Sequence, residues 1–188
     1  MDRRIALTAL ATLIAAPALA QQNATAPMPM GEAETTHAKR TMTLGAMSLA
    51  TSRIAHGKAN NDDVKEFSGF EIAEQDTIAD ILKGMMEPRS AAAVGQVKAP
   101  TDAEVSEHLD AKGKAMVEKL REAKAGAAFD RDYVTGQIEG HKALLDAQED
   151  YLKVGKDRDH LNIAKLARGQ IKEHIALLTD IEKELRKG

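Results

Sequence analysis

The sequence predicts an all-α protein, built as an up-down bundle of four long helices with an additional shorter helix. Apolar residues recur every three or four positions over long stretches, and no stretch alternates with the two-residue period of a strand. Asparagine, aspartate, glycine and proline fall between these stretches, where helices start and stop. The chain has no cysteine, so packing of aliphatic side chains and methionine must stabilise it without disulfides.

The first 20 residues predict a secretory signal peptide. An arginine pair precedes an apolar run over residues 5–16, and Ala18 and Ala20 match the Ala-x-Ala cleavage pattern, which places the cut after Ala20. The run is shorter than the ~20 apolar residues that span a bilayer, and no later segment is apolar for long enough to anchor the chain. We therefore expect a periplasmic protein with no membrane span, beginning with a disordered lead-in over residues 21–31.

Residues 32–188 are expected to form one helical domain that opens with an antiparallel hairpin. The first helix is predicted over about Glu32–Lys58, and Asn60-Asn61-Asp62 ends it and caps a second helix that continues to about Met86. So short a connection makes the two helices neighbours. The apolar stripes that should face the core are Leu44, Met47, Thr51 and Ile54 on the first helix and Val64, Phe67, Ile78, Ile81, Leu82 and Met85 on the second.

A crossover linker over residues 87–100 separates this hairpin from the rest of the domain. Thr101-Asp102-Ala103-Glu104 then has the spacing of a capping box, in which the threonine and glutamate side chains each bond the other residue's amide. It predicts one shorter helix that runs through Leu109, Met116 and Leu120 to about Ala125.

Two more long helices complete the predicted bundle. Phe129-Asp130 should open the first of them, with Asp130 as N-cap and Phe129 packed against Val134. Gly155 ends it, and Asp157 or Asp159 caps the last helix. Gly136 and Gly140 lie within the fourth helix and predict close approach of another backbone. The stripes are Val134, Ile138, Leu145 and Leu152, then Leu161, Ala164, Ile171, Leu178, Ile181 and Leu185.

Polar residues interrupt three of these stripes. His141 lies between Ile138 and Leu145, and His174 lies between Ile171 and Leu178. Glu71 follows Phe67 by four positions, and Glu74 lies beside that line. One interpretation is a metal or proton-handling site in the bundle core, since imidazole and carboxylate are the ligands that a cysteine-free protein offers a divalent ion. The candidate metal ligands are His141, His174, Glu71 and Glu74. The other interpretation is that each histidine is a core residue hydrogen-bonded across the bundle.

Two more specific metal hypotheses, a di-iron site and a copper site, have less support in the sequence. A di-iron carboxylate site needs Glu-x-x-His on two helices, yet isoleucine stands three residues before both His141 and His174, and only Glu34-Thr35-Thr36-His37 spells the motif. Copper could use the methionines, but Met47 and Met85 fall on apolar stripes, where methionine is ordinary core filler. The other histidines lie near helix ends or flanks, where we expect solvent or helix-end contacts: His56, His108 and His160.

Composition argues against several classes of function. A net charge of -3 spread along the chain gives no basic face for nucleic acid, and aromatic residues make up only 3%. No nucleophile elbow, phosphate loop or His-Glu-x-x-His motif occurs, so enzyme activity has no support in the sequence. No cofactor is expected, with a divalent metal or copper as the alternative.

Several strings resemble one family of exported bacterial proteins. They are Val64-Lys65-Glu66-Phe67, Phe129-Asp130-Arg131-Asp132-Tyr133 with the following Gln137 and His141, and Glu173-His174-Ile175. Over about residues 41–185 the chain resembles the domain of unknown function 4142 family, which implies a ferritin-like helical bundle. It departs from that family's pattern at Glu74-Gln75, where the family has Asp-His, and at about Ser48, where the family has Glu. The resemblance implies no established activity.

The sequence thus favours a non-enzymatic cell-envelope protein, either stress-related or a small binding module with a protein or envelope partner. The alternative is a metal-binding or redox bundle that uses its inward histidines and glutamates. The oligomeric state is left open.

Overall fold

A computed structural model describes residues 30–87 and 95–187, which form six α-helices and no strand. The helices are α1 (Glu32–Lys58), α2 (Asp62–Met86), α3 (Asp102–His108), α4 (Ala111–Glu122), α5 (Ala127–Val154) and α6 (Arg158–Leu185). The all-α prediction is confirmed, and α1 and α2 match their predicted bounds. No helix in the described ranges is long and apolar enough to cross a membrane.

Some predictions fall on other parts of the chain. The signal peptide over residues 1–20, the lead-in up to residue 29 and residues 88–94 of the crossover lie outside the described residues. The described part of the crossover, residues 95–100, has no regular secondary structure. The ferritin-like arrangement stays a prediction.

The four long helices pack as two hairpins on a shared interior. Residues 59–61 connect α1 to α2, and residues 155–157 connect α5 to α6. Helix α1 contacts the most partners, because it packs against α2, α5 and both short helices. Side chains of α2 and α6 meet in the interior, where His174 lies against Glu71.

Local capping explains most helix starts. The Asn61 side chain accepts a hydrogen bond from the Val64 amide at the start of α2, and the Thr101–Glu104 capping box is present at the start of α3. Asp157 caps α6 by accepting from the His160 amide at 2.8 Å. All three caps agree with the sequence prediction.

The predicted third helix is instead two helices, α3 and α4. The chain becomes extended at Leu109, whose side chain is buried with residues of α1. The Asp110 carboxylate then accepts from the Gly113 amide at 2.7 Å and starts α4. The prediction of one continuous helix was wrong because burial of Leu109 and the Asp110 cap favour a break that the apolar spacing alone does not show.

Asp130 is not the N-cap of α5. That helix begins one turn earlier, after Gly126, whose φ of 138° is the left-handed region that favours glycine. Asp130 is buried within the helix, where its carboxylate accepts from the amides of Asn60 at 3.1 Å and Asn61 at 3.0 Å. The residue read as a local cap therefore holds the connection between α1 and α2.

The glycines of α5 also differ from expectation. A Cβ at Gly136 would meet the side chain of Met116 at 3.0 Å, and one at Gly140 would meet that of Met47 at 3.1 Å. The space left by both glycines is therefore used by methionine side chains of α4 and α1, not by another backbone.

Polar and apolar layers alternate along the interior. One apolar cluster contains Phe67, Tyr133 and Leu178 near the α1–α2 connection, and another contains Leu144 and Ile171 farther along. Between and beyond them lie buried polar residues that share one face on each helix: Glu34, His37, Thr41, Ser48 and Ser52 on α1, Gln137, His141 and Gln148 on α5, and His160 and His174 on α6. These polar layers position both clusters described next.

Candidate functional site

Three ligand-type side chains from three helices meet in the interior. Glu71 of α2, His141 of α5 and His174 of α6 are 0%, 1% and 5% exposed. The Nε2 atom of His141 lies 3.2 Å from Nδ1 of His174 and 3.2 Å from Oε2 of Glu71. His174 Nδ1 lies 2.9 Å from the same carboxylate oxygen. Among the described residues this is the one group of three or more histidine or acidic side chains that could hold a metal ion.

Contacts outside the triangle of Glu71, His141 and His174 orient both imidazoles. His141 Nδ1 lies 2.8 Å from the Gln137 carbonyl, which can only accept, so Nδ1 carries a hydrogen and a neutral ring turns its Nε2 lone pair towards the triangle. His174 Nε2 lies 3.3 Å from Oε1 of Glu74, and this carboxylate favours a hydrogen on that nitrogen. Both rings thus have the arrangement of metal-binding histidines, whose second nitrogen donates to a carbonyl or carboxylate.

Helix α1 fixes the carboxylate from the other side. Ser48 Oγ lies 2.5 Å from Oε1 of Glu71 and 2.6 Å from Oε1 of Gln137. The hydroxyl has one hydrogen for these two acceptors, so it donates to one of them at a time. Gln137 in turn donates to Thr51 Oγ1 at 2.9 Å. The Glu71 carboxylate is held by one oxygen at α1 and presents the other to the imidazoles.

The electrostatics of the metal-free triangle are those of a buried ion pair. Burial opposes ionisation of Glu71, but the adjacent His141 and His174 outweigh it and hold the pKa of the carboxyl well below its usual range. Burial likewise opposes protonation of His174, yet hydrogen bonds to Glu71 and Glu74 raise its pKa to about 9. A positive charge or a cation is therefore stabilised between these carboxylates.

The four residues predicted as metal ligands thus fall in two positions. Glu71, His141 and His174 converge, whereas Glu74 lies against the far nitrogen of His174, with 29% of its side chain exposed. Phe67 packs against both imidazoles, with ring centroids 5.0 Å from His174 and 6.0 Å from His141. Glu74 is the most exposed acidic group at the site and marks its side towards solvent.

A second polar cluster was not predicted from the sequence. His37 Nδ1 lies 2.7 Å from His160 Nε2, and His37 Nε2 lies 2.7 Å from the Gln148 side-chain oxygen. The amide oxygen accepts from His37 Nε2, so in the neutral ring His37 Nδ1 accepts from His160 Nε2. His37 also stacks on Tyr151 with 4.3 Å between ring centroids. His160 lies near the start of α6, as predicted, and its amide donates to the cap residue Asp157, but its side chain is 1% exposed, so the alternative of a solvated side chain was wrong.

Glu34 anchors this cluster to the connection between α5 and α6. Its Oε1 accepts from the Tyr151 hydroxyl at 3.0 Å and from the amides of Lys156 at 3.0 Å and Asp157 at 3.3 Å. The Lys156 amide contributes most to lowering the pKa of Glu34 to about 2, against the opposing effect of burial. Burial lowers the pKa of His37 to about 4 and lowers that of His160, so both rings are neutral at pH 7. Their facing nitrogens are already hydrogen-bonded to each other.

These features define a class: an all-helical protein that buries a carboxylate and two imidazoles, aimed at one point, in its interior. The model of one family, Domain of unknown function (DUF4142), matches residues 17–181. The chain belongs to this family, as the sequence resemblance predicted. No curated protein and no solved structure matches the chain.

Proposed function

We propose that the protein binds one divalent transition-metal ion, with Zn²⁺ the best fit, through Glu71, His141 and His174. The observation that carries this proposal is the spacing of the three ligand atoms, 2.9, 3.2 and 3.2 Å. Zinc bonds of ~2.0–2.1 Å at tetrahedral angles place neighbouring ligand atoms about 3.3 Å apart. Small shifts of side chains already aimed at one point would complete the geometry.

The hydrogen-bond pattern around the triangle supports the same proposal. The Gln137 carbonyl fixes His141 as the tautomer with Nε2 free, and Glu74 favours the tautomer of His174 that frees Nδ1. A cation also compensates the buried Glu71 carboxylate. In this proposal Glu74 orients a ligand and does not coordinate the ion.

The burial of the three ligand side chains favours a structural metal site over a catalytic one. Two histidines and a glutamate are also the protein ligands of some catalytic zinc sites, which keep an open position for water or substrate. Here all three side chains are at most 7% exposed, and Phe67 covers them from within the core. The ion would link α2 of the first hairpin to α5 and α6, which form the second hairpin. Export to the periplasm and a cell-envelope role remain part of the proposal and are supported by the amino-terminal sequence.

The direct test is metal titration of the purified, chelator-treated protein by calorimetry with Zn(II), Mn(II) and Cu(I). We expect one Zn(II) per chain, bound more tightly than Mn(II). The variants Glu71→Gln and His141→Gln should each weaken Zn(II) binding at least a hundredfold. The matched control is His108→Gln, because His108 is exposed and lies outside the triangle, and this variant should bind like the wild type.

The wild-type titration alone can refute the proposal. Absence of stoichiometric binding of any of the three metals would leave the triangle as a buried ion pair that specifies packing. Unchanged Zn(II) affinity in folded Glu71→Gln and His141→Gln proteins would place the metal elsewhere.

A further inference from the structure

A cavity of about 280 Å³ lies between α1, α2 and α3 and contains none of the proposed metal ligands. Its walls are mainly apolar and include Met42, Ala46 and Leu49 of α1, Ile78 of α2 and Val105 of α3. The volume is just under the ~300–1,000 Å³ that is usual for drug-sized ligands. Any ligand that fits is therefore small.

The short helix α3 is held firmly over this cavity. Arg53 of α1 donates to Asp76 of α2 at 2.9 Å, to Asp102 of α3 at 2.6 Å and to the Pro100 carbonyl at 2.9 Å. The arginine is partly buried, with 25% of its side chain exposed. One guanidinium thus ties three segments together, and the cavity is a feature of the packed fold.

The polar groups of the cavity indicate what kind of ligand it takes. Gln75 is half-buried in the wall, with its side-chain oxygen over Gly45, and its amide has no hydrogen-bond partner among the described residues. At the rim, Lys83 and Glu104 form an ion pair of 2.9 Å. These two opposite charges satisfy each other, and the other charged lining residues, Asp80, Glu87, Lys98 and Glu107, carry both signs, so the lining does not present a charge of one sign.

We propose that this cavity is a binding site for a small, uncharged, mainly apolar molecule that carries one hydrogen-bonding group, which pairs with the Gln75 amide. The apolar walls supply most of the affinity, since desolvation of apolar surface drives binding in such sites. Gln75 supplies orientation and discriminates against a pure hydrocarbon. The site is independent of the metal centre.

The test uses N-phenyl-1-naphthylamine, an uncharged fluorescent probe with one N–H group, titrated into the full chain. We expect saturable binding of one probe per chain, with a blue shift of its emission. The variants Ala46→Phe and Ala79→Phe each fill the cavity from a different helix and should weaken binding at least tenfold. Gln75→Leu should weaken it about threefold to tenfold, the loss expected for one hydrogen bond.

Two controls separate this site from other surfaces. Leu166→Ser removes an apolar side chain that is 69% exposed on α6, and it should leave probe binding unchanged. His141→Gln should also leave it unchanged, so a failed metal titration does not affect this result. The proposal is overturned if probe binding does not saturate, or if Ala46→Phe and Ala79→Phe proteins with wild-type circular dichroism bind the probe as the wild type does.

Discussion

Acidification should destabilise the protein through His37, well above the pH at which its carboxylates titrate. His37 is 4% exposed, and its pKa of about 4 in the folded chain lies below the value of 6.5 expected when the chain unfolds. The unfolded state therefore binds a proton more readily than the folded state. The stabilising contribution is fully present above pH 6.5 and decreases as the pH falls from 6.5 towards 4.

The size of this effect follows from the difference between the two pKa values. At pH 4.5, linkage gives a loss of about 2.5 kcal/mol relative to pH 7.5. Taken alone, with a urea m-value of ~2 kcal/mol/M, this loss lowers the unfolding midpoint by about 1 M. His160, whose pKa is also lowered by burial, adds to the loss. His174 acts in the opposite direction, because its pKa is raised to about 9 in the folded chain, and it gains about 1.4 kcal/mol of stabilisation over the same range. The comparison with a His37 variant therefore isolates the His37 contribution.

Urea unfolding followed by circular dichroism at several pH values between 7.5 and 4.5 measures the effect. His37→Gln removes the titrating ring and keeps a neutral side chain that can bond Gln148. Between pH 7.5 and pH 4.5, the free energy of unfolding of this variant should therefore fall by about 2.5 kcal/mol less than that of the wild type. The exposed His108→Gln control should follow the wild-type profile. Parallel profiles for the wild type and His37→Gln would show that His37 is not a buried neutral imidazole and would refute this prediction.

Three further substitutions test other contacts. Glu34→Gln replaces a carboxylate that accepts three hydrogen bonds, and it should lower the free energy of unfolding by about 1.5–3 kcal/mol; a loss below 0.5 kcal/mol in urea unfolding would contradict the anchoring role. Gly140→Leu forces a side chain against Met47, so it should lower the melting temperature by several degrees. Gly169→Leu is the tolerated control, because Gly169 is exposed and an added Cβ there would meet nothing within 4 Å. Asp110→Ala removes the cap of α4 and should cost about 1 kcal/mol, whereas an unchanged stability would argue that α4 starts without it.

The helices of the first hairpin could be predicted because their signals are local. The Asn-Asn-Asp string both ends α1 and caps α2, so the end of α1 at Lys58 and the start of α2 at Asp62 follow from neighbouring residues. Asp130 shows where this approach fails. It has the local pattern of an N-cap, but its partners are the amides of Asn60 and Asn61, which are distant in sequence. A long-range contact of this kind leaves no trace in the residues beside it.

The triangle was predictable because its histidines interrupt apolar stripes, and an interrupted stripe shows which way a side chain points. His37 and Thr41 gave no such signal, because the buried face of α1 consists largely of small side chains: alanine, serine, threonine and one glycine. Spacing held the missed information: positions 34, 37, 41, 48 and 52 follow helical periodicity as polar residues, and positions 137, 141 and 148 do so on α5. A polar helix face can be recognised as buried only when the polar residues that pair with it on other helices are known, and the tertiary structure supplies that information.

The alternating layers have a consequence for how the helices are aligned. Two helices that pack only through aliphatic side chains can shift along each other at little cost, since one aliphatic contact resembles the next. Here, no buried side-chain nitrogen or oxygen in the described ranges lacks a hydrogen-bond partner. Displacing α5 along α1 by one turn, ~5.4 Å, would break the present hydrogen bonds of Gln137 with Ser48 and of Gln148 with His37, and each buried polar atom left without a partner would cost free energy. The buried hydrogen bonds therefore favour one axial alignment of the two hairpins and make packing arrangements shifted along the helix axes costly.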